Sequence, residues 1–198
     1  SIKYAKSVYD GIEATRNLVT VPANILNPKK FVDEINKLKK TGLSIEILDE
    51  KKMKSLGMNA LLGVGQGSTN SSYLAIMRWN GDKSSKEKPV AFVGKGVTFD
   101  TGGLNLKPTG SMEDMYGDKG GSCAVIGALS GTLELGSSKN ILFACGFAEN
   151  AIGSAVYKPG DIIKGMNGLS VEIGNTDAEG RLVLGDTMTY VQRNFKPK

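Results

Sequence analysis

Apolar and polar positions fall into a succession of helical and extended periods along the chain. Ile2 to about Val19 has helical spacing, with Tyr4, Val8, Ile12 and Val19 as its apolar stripe, and breaks at Val21-Pro22-Ala23-Asn24. Asn27-Pro28 reads as the cap and first position of a second helix, whose apolar face is Phe31, Val32, Ile35 and Leu38. Leu43 to Leu48 alternates as a strand does, and Asp49 caps a further helical turn through Met53 and Leu56 that ends at Gly57. Tyr73–Trp79 and Pro89–Val93 are β-rich, and the polar stretch 80–88 between them is a hairpin loop or a surface excursion. A Gly-rich loop is expected from Gly94 to about Asp118, then a helix from Lys119 to Leu135. Ile141–Phe147 is apolar enough for a strand buried on both faces. Asp161–Lys164 and Leu169–Ile173 pair around the turn Met166-Asn167-Gly168, and a last helix runs from about Glu179 to Phe195. Strands alternating with helices predict an α/β domain built on a mixed, mostly parallel sheet flanked by helices.

Composition narrows the functional classes. With 40% hydrophobic and 23% charged residues over 198 positions, the chain suits one globular domain that needs no disulfide framework. No stretch approaches the roughly 18 consecutive apolar residues of a membrane span. The opening Ser1–Lys6 runs into a helical pattern without the apolar core of a signal peptide. Cys123 and Cys145 sit in apolar surroundings and read as buried thiols, which points to the cytoplasm. The net charge of +5 raises nucleic-acid binding, but the basic groups Lys29-Lys30, Lys37 with Lys39-Lys40, and Lys51-Lys52 lie near acids on helix surfaces and read as solvated faces. The absence of histidine matters more. It excludes Ser-His-Asp and Cys-His sites and every His-ligated zinc motif, so hydrolytic chemistry would run on carboxylates, lysines, arginine and bound metal.

Three segments carry candidate chemistry. Gly94-Lys95-Gly96-Val97-Thr98-Phe99-Asp100-Thr101-Gly102-Gly103, continuing to Lys107, leaves the end of a strand, where α/β sheets place ligands. Alone it is compatible with a plain turn, a phosphate loop or a metal loop, although the P-loop spacing is not met. Asp114 and Asp118 precede a helix, where an aspartate is most often a cap. In Asn175-Thr176-Asp177-Ala178-Glu179-Gly180-Arg181, two carboxylates lie two positions apart; they are an acidic helix start or a pair held together by a cation. Lys107 and Arg181, each taken alone, are ordinary surface groups. Together, Lys95, Asp100, Asp118, Asp177 and Glu179 form a hard, oxygen-rich set suited to Mn²⁺, Mg²⁺ or carboxylate-bound Zn²⁺.

These segments resemble the leucine aminopeptidase (cytosol aminopeptidase) family. The stretch from Val93 to Gly103 and the specific signature Asn175-Thr176-Asp177-Ala178-Glu179-Gly180-Arg181-Leu182 carry the likeness; Lys158-Pro159-Gly160-Asp161 and Asn17–Pro28 add to it. The resemblance implies that Lys95, Asp100, Asp118, Asp177 and Glu179 hold two divalent metal ions (Mn²⁺ or Zn²⁺), with Asp100 and Glu179 contacting both. It further implies that Lys107 polarises the scissile carbonyl, that Arg181 holds a bicarbonate acting as general base, and that Met115 lines the pocket for the first side chain of the peptide. The implied reaction removes N-terminal residues from peptides by a metal-activated water, in a family that assembles as hexamers.

No ligand of the motif is missing, and the resemblance spans the whole chain as the front part of the family's catalytic domain. Residues 1–198 are thus expected to be a single, incomplete catalytic domain, without the family's separate N-terminal domain or the end of its catalytic domain. The same ligand set would also suit a catalytically silent metal-binding fragment or assembly partner. DNA binding, known in some family members, gains no support from the scattered charges.

Overall fold

A computed structural model describes residues 1–38, 40 and 42–198 of the chain. Its core is a four-stranded sheet of β1 (Leu43–Leu48), β2 (Tyr73–Asn80), β3 (Val90–Asp100) and β4 (Asn140–Asn150), in the order β1-β2-β4-β3. The two inner strands are apolar on both faces, as expected for strands covered on both sides. Leu74, Ile76, Leu142 and Ala144 face one layer, while Ala75, Met77, Phe143, Cys145 and Phe147 face the other.

Helices α1 (Ile2–Thr20), α2 (Pro28–Lys37) and α5 (Gly120–Leu135) cover the second face, where Phe31 stacks on Phe147 at 4.5 Å. Helices α3 (Glu50–Ser55), α4 (Asn59–Gly65) and α6 (Gly180–Phe195) cover the first through Met53, Leu61, Val64, Val183 and Val191. Two start as the sequence predicts: Asn27 caps α2 by accepting from the Lys30 amide, with Pro28 at its first position, and Asp49 caps α3 through the Lys52 amide. A small hairpin of β5 (Ile162–Lys164) and β6 (Ser170–Glu172) stands apart from the main sheet.

The mixed α/β sheet is as expected, but it is less parallel than strand–helix alternation suggests. Only β3 and β4 are parallel, joined by the crossover through α5, while the β1–β2 and β2–β4 ladders run antiparallel. Strands β2 and β3 are not a hairpin, because β4 lies between them and the 80–88 stretch is the surface excursion.

Three further details differ from the sequence pattern. The expected apolar stripe of α1 is largely exposed, at 60% for Tyr4, 39% for Val8 and 45% for Ile12. The helix instead lays its small face on α5: a Cβ on Gly11 would stand 2.7 Å from the Gly127 carbonyl oxygen, and Thr15 hydrogen-bonds the Cys123 carbonyl. Backbone contact at this distance leaves no room for an apolar stripe. Gly94–Asp100 continues β3 rather than opening a loop. Gly94 serves helix–sheet packing there, since a Cβ would lie 2.7 Å from the Ser122 Cα of α5. Helix α4 carries no capping side chain of its own and was not anticipated. Lys39, counted in one basic group of the sequence, lies outside the described residues.

Candidate metal centre

The carboxyl ends of the parallel strands β3 and β4 bring the chemistry together. Asp100 is the last residue of β3 and pairs in register with Asn150, the last of β4. Beyond Asp100 the chain turns through Gly102 and Gly103, whose φ angles of 85° and 69° favour glycine. That turn returns Lys107 to the strand end, where its amide donates to the Thr101 carbonyl. Asp118 follows a 3₁₀ turn (Met115–Gly117) at the threshold of α5, and Asp177 and Glu179 occupy the turn that starts α6.

Carboxylate oxygens of Asp100, Asp177 and Glu179 all lie within 4.8 Å of one another. Two lysines answer them. Lys95 Nζ is 2.6 Å from Glu179 Oε1 and 2.8 Å from Asp118 Oδ1, while Lys107 pairs with Asp177 and sits 3.1 Å from Asp100 Oδ2. Asp118 Oδ2 is also 2.7 Å from Lys95 Nζ, yet it is buried without a hydrogen bond of sound geometry. Five of the residues singled out in the sequence, with Lys107, thus converge on one place.

The electrostatics are those of a site short of positive charge. Asp100 and Glu179 are only 3% and 2% exposed. Burial, then the nearby Asp100 charge, raises the pKa of Glu179 against the pull of Lys95. Burial likewise raises Asp118, again partly offset by Lys95. Burial works against the Lys95 ammonium, but its bonds to Asp118 and Glu179 outweigh this and hold its pKa above the ordinary lysine value. Lys107 behaves in the same way between Asp177 and Asp100. Four carboxylates therefore share two ammonium groups in a low-dielectric setting, an arrangement that divalent cations would relieve. The donor set fits hard cations: oxygen ligands predominate, and Lys95 could join once deprotonated.

The side chains of the two remaining candidates make no hydrogen bond or ion pair with the cluster among the described residues. Arg181 is exposed, makes no ion pair among the described residues, and lines a shallow cavity of about 460 Å³ with Ile173, Asn175 and Ala178. Met115 is half-buried in the 3₁₀ turn before Asp118.

A second, neutral set of residues holds the site and was missed in the sequence. Thr176 donates its hydroxyl to the Gly102 carbonyl at 2.6 Å and exchanges bonds with Asn105, whose amide donates to Thr176 Oγ1 and whose Oδ1 accepts from the Thr176 amide, both at 2.8 Å. The Tyr157 hydroxyl donates to the Thr176 carbonyl at 2.7 Å. Asn150 Nδ2 reaches both Asp100 and that same carbonyl. Asn150 and Tyr157 lie outside every motif; the only available signal was a polar pair, Glu149-Asn150, closing an otherwise apolar strand.

Known proteins match the chain over nearly all of its length. Residues 13–198 match the family described as "Cytosol aminopeptidase family, catalytic domain". A probable cytosol aminopeptidase of Brucella anthropi is 51% identical over all 198 residues, and one of Nitrobacter hamburgensis is 51% identical over 191. The chain covers 40% and 38% of those two proteins, so it spans well under half the length of such relatives. Among solved structures, leucine aminopeptidase of Caenorhabditis elegans superposes with a TM-score of 0.92 at 33% identity, over 98% of this chain and 40% of that one. The bottromycin maturation enzyme BotP, in complex with Mn, superposes with a TM-score of 0.87 at 34% identity, over 94% of this chain and 40% of its own.

Proposed function

Because the chain belongs to the cytosol aminopeptidase family, we propose that it forms the metal-binding part of a metal-dependent aminopeptidase that releases N-terminal residues, leucine-type, from peptides. One observation carries the reading: the carboxylates of buried Asp100 and Glu179 and half-buried Asp177 meet within 4.8 Å, and among the described residues Lys95 and Lys107 alone balance them and Asp118. Lys95, Asp100, Asp118, Asp177 and Glu179 are the ligands of two divalent ions, Mn²⁺ or Zn²⁺. Bound there, such ions supply an acidified water and polarise the substrate carbonyl.

The chain's own groups do the rest. Lys107, anchored by a turn whose glycines fix its approach, offers a positive charge to the oxyanion that develops on the scissile carbonyl. The Arg181 guanidinium presents a planar fork of donors suited to a bicarbonate, which would accept the proton from the water. Met115, one turn before Asp118, contributes an adaptable apolar wall for the first side chain of the peptide. No described helix is long and apolar enough to cross a membrane, and we place the parent protein in the cytoplasm, acting on peptides as a homo-oligomer.

The test is hydrolysis of a leucine chromogenic amide by this chain, with and without Mn²⁺ or Zn²⁺, beside Glu179→Ala. Metal-dependent turnover lost in the variant supports the full reading. No turnover, but metal-induced thermal stabilisation that the variant lacks, supports the site and confines the chain to binding. Neither signal, or a variant that keeps full activity, overturns the assignment.

A further inference from the structure

Asn150 is 1% exposed and is one of the links between the two segments that carry the candidate ligands. Its Nδ2 donates to Asp100 Oδ1 at 2.7 Å and to the Thr176 carbonyl at 3.1 Å. Both partners can only accept, so the amide has one workable orientation: nitrogen toward Asp100 and Thr176, oxygen away. The oxygen is then buried with no donor. A buried amide left half-satisfied is costly, and in a core strand end an apolar residue would avoid that cost. What the amide achieves is a fixed Asp100. Oδ1 of Asp100 already accepts from the Gly102 amide at 2.9 Å, and Asn150 occupies its second lone pair. Only Oδ2 is left to face Lys107 and the neighbouring carboxylates. A carboxylate without such a clamp rotates easily about χ2.

We propose that Asn150 is a positioning residue of the metal centre: its amide presents one chosen oxygen of Asp100 to the cations and, through the Thr176 carbonyl, holds the turn bearing Asp177 and Glu179 in register with it. The inference rests on the metal-site reading above. Partners of this kind, one bond removed from the metal, commonly change affinity by about 10–100-fold when lost. Tyr157 provides the internal control, because it bonds the same Thr176 carbonyl but not Asp100.

Mn²⁺ is titrated calorimetrically into metal-free wild type, Asn150→Ala and Tyr157→Phe, and each metal-free protein is also unfolded thermally. The expected result is an affinity loss of about 10–100-fold in Asn150→Ala and a clearly smaller one in Tyr157→Phe, which keeps the Asp100 clamp; equal losses in the two variants would overturn the proposal. Equal affinity in Asn150→Ala and wild type, with only a lower melting temperature in the metal-free form, makes Asn150 a structural residue and overturns the proposal. Wild type that binds no Mn²⁺ removes the metal reading and this one with it. Should Asn150→Ala not fold, ¹⁵N-labelled wild type decides: the Asn150 side-chain amide signals must move with the same midpoint as binding of diamagnetic Zn²⁺. Signals that stay in place at saturation overturn the proposal.

Discussion

Lys107 is held by two carboxylates that the proposed cations would claim, so it competes with metal in the free protein and serves the reaction afterwards. The two roles separate in one variant. Lys107→Ala is expected to bind Mn²⁺ at least as tightly as wild type by calorimetry, yet to lose about 100–1,000-fold in kcat, the usual cost of removing one oxyanion donor. Weaker Mn²⁺ binding in this variant would show that Lys107 supports the ligands rather than competing for them. The thiols make a second prediction at this scale. Burial pushes Cys123 up to about 11 and Cys145 higher still, so both stay protonated across the neutral range. Ellman's reagent should label neither in native protein at pH 8, and both after urea, with native labelling of Cys123 rising only as the pH approaches its shifted pKa. The charged members of the site were legible in the sequence because cations, carboxylates and glycines cluster in three short segments. Asn150 and Tyr157 were not. A neutral hydrogen-bonding residue acquires meaning only when the fold brings it to a partner fifty or so positions away, as Asn150 is brought to Asp100.

Capping explains which elements could be read locally. Helices α2 and α3 start on their own Asn27 and Asp49, and both were predicted from those residues. Helix α4 has no cap in its own segment. Its first amides are taken instead by Asp186 of α6, whose Oδ2 accepts from Ala60 at 2.8 Å and Leu61 at 3.0 Å while Oδ1 accepts from Met166 at 2.8 Å. Nothing in Asn59–Gly65 announces such a partner. Asp186→Ala leaves three buried amides unpaired and is expected to cost about 2–4 kcal/mol, from the penalty for orphaned buried donors, measured by urea unfolding. A cost under about half a kcal/mol, typical of a surface change, would mean that water replaces the carboxylate. The buried face of α1 was misjudged for a related reason. Helical periodicity marked Tyr4, Val8 and Ile12 as the buried stripe, but glycine-to-backbone contact chose the other face. Gly11→Ala should therefore destabilise by about 1–3 kcal/mol, as overpacking does, although alanine favours a helix.

For the molecule as a whole, metal and stability should be linked. An anionic cluster at the carboxyl ends of β3 and β4 repels itself until cations arrive, so binding to the native state alone raises the melting temperature. At a free Mn²⁺ concentration of 100 times Kd the gain is about 2.7 kcal/mol, or roughly 5–11 °C for a domain of this size. Thermal unfolding with Mn²⁺ and after chelation checks it, and identical curves would dissociate the cluster from metal. The layered α/β architecture itself was legible, because apolar runs and helical periods are local signals. The balance of parallel and antiparallel ladders was not, since it depends on β4 entering between β2 and β3.

The borrowed cap of α4 also has a consequence in time. Asp186 leaves the ribosome well after the amides it serves, with 126 positions separating it from Ala60. At about 5–20 residues per second, the Asn59–Gly65 segment waits several seconds or more in the nascent chain, its first amides left to water. The segment therefore gains its cap only after synthesis has reached α6.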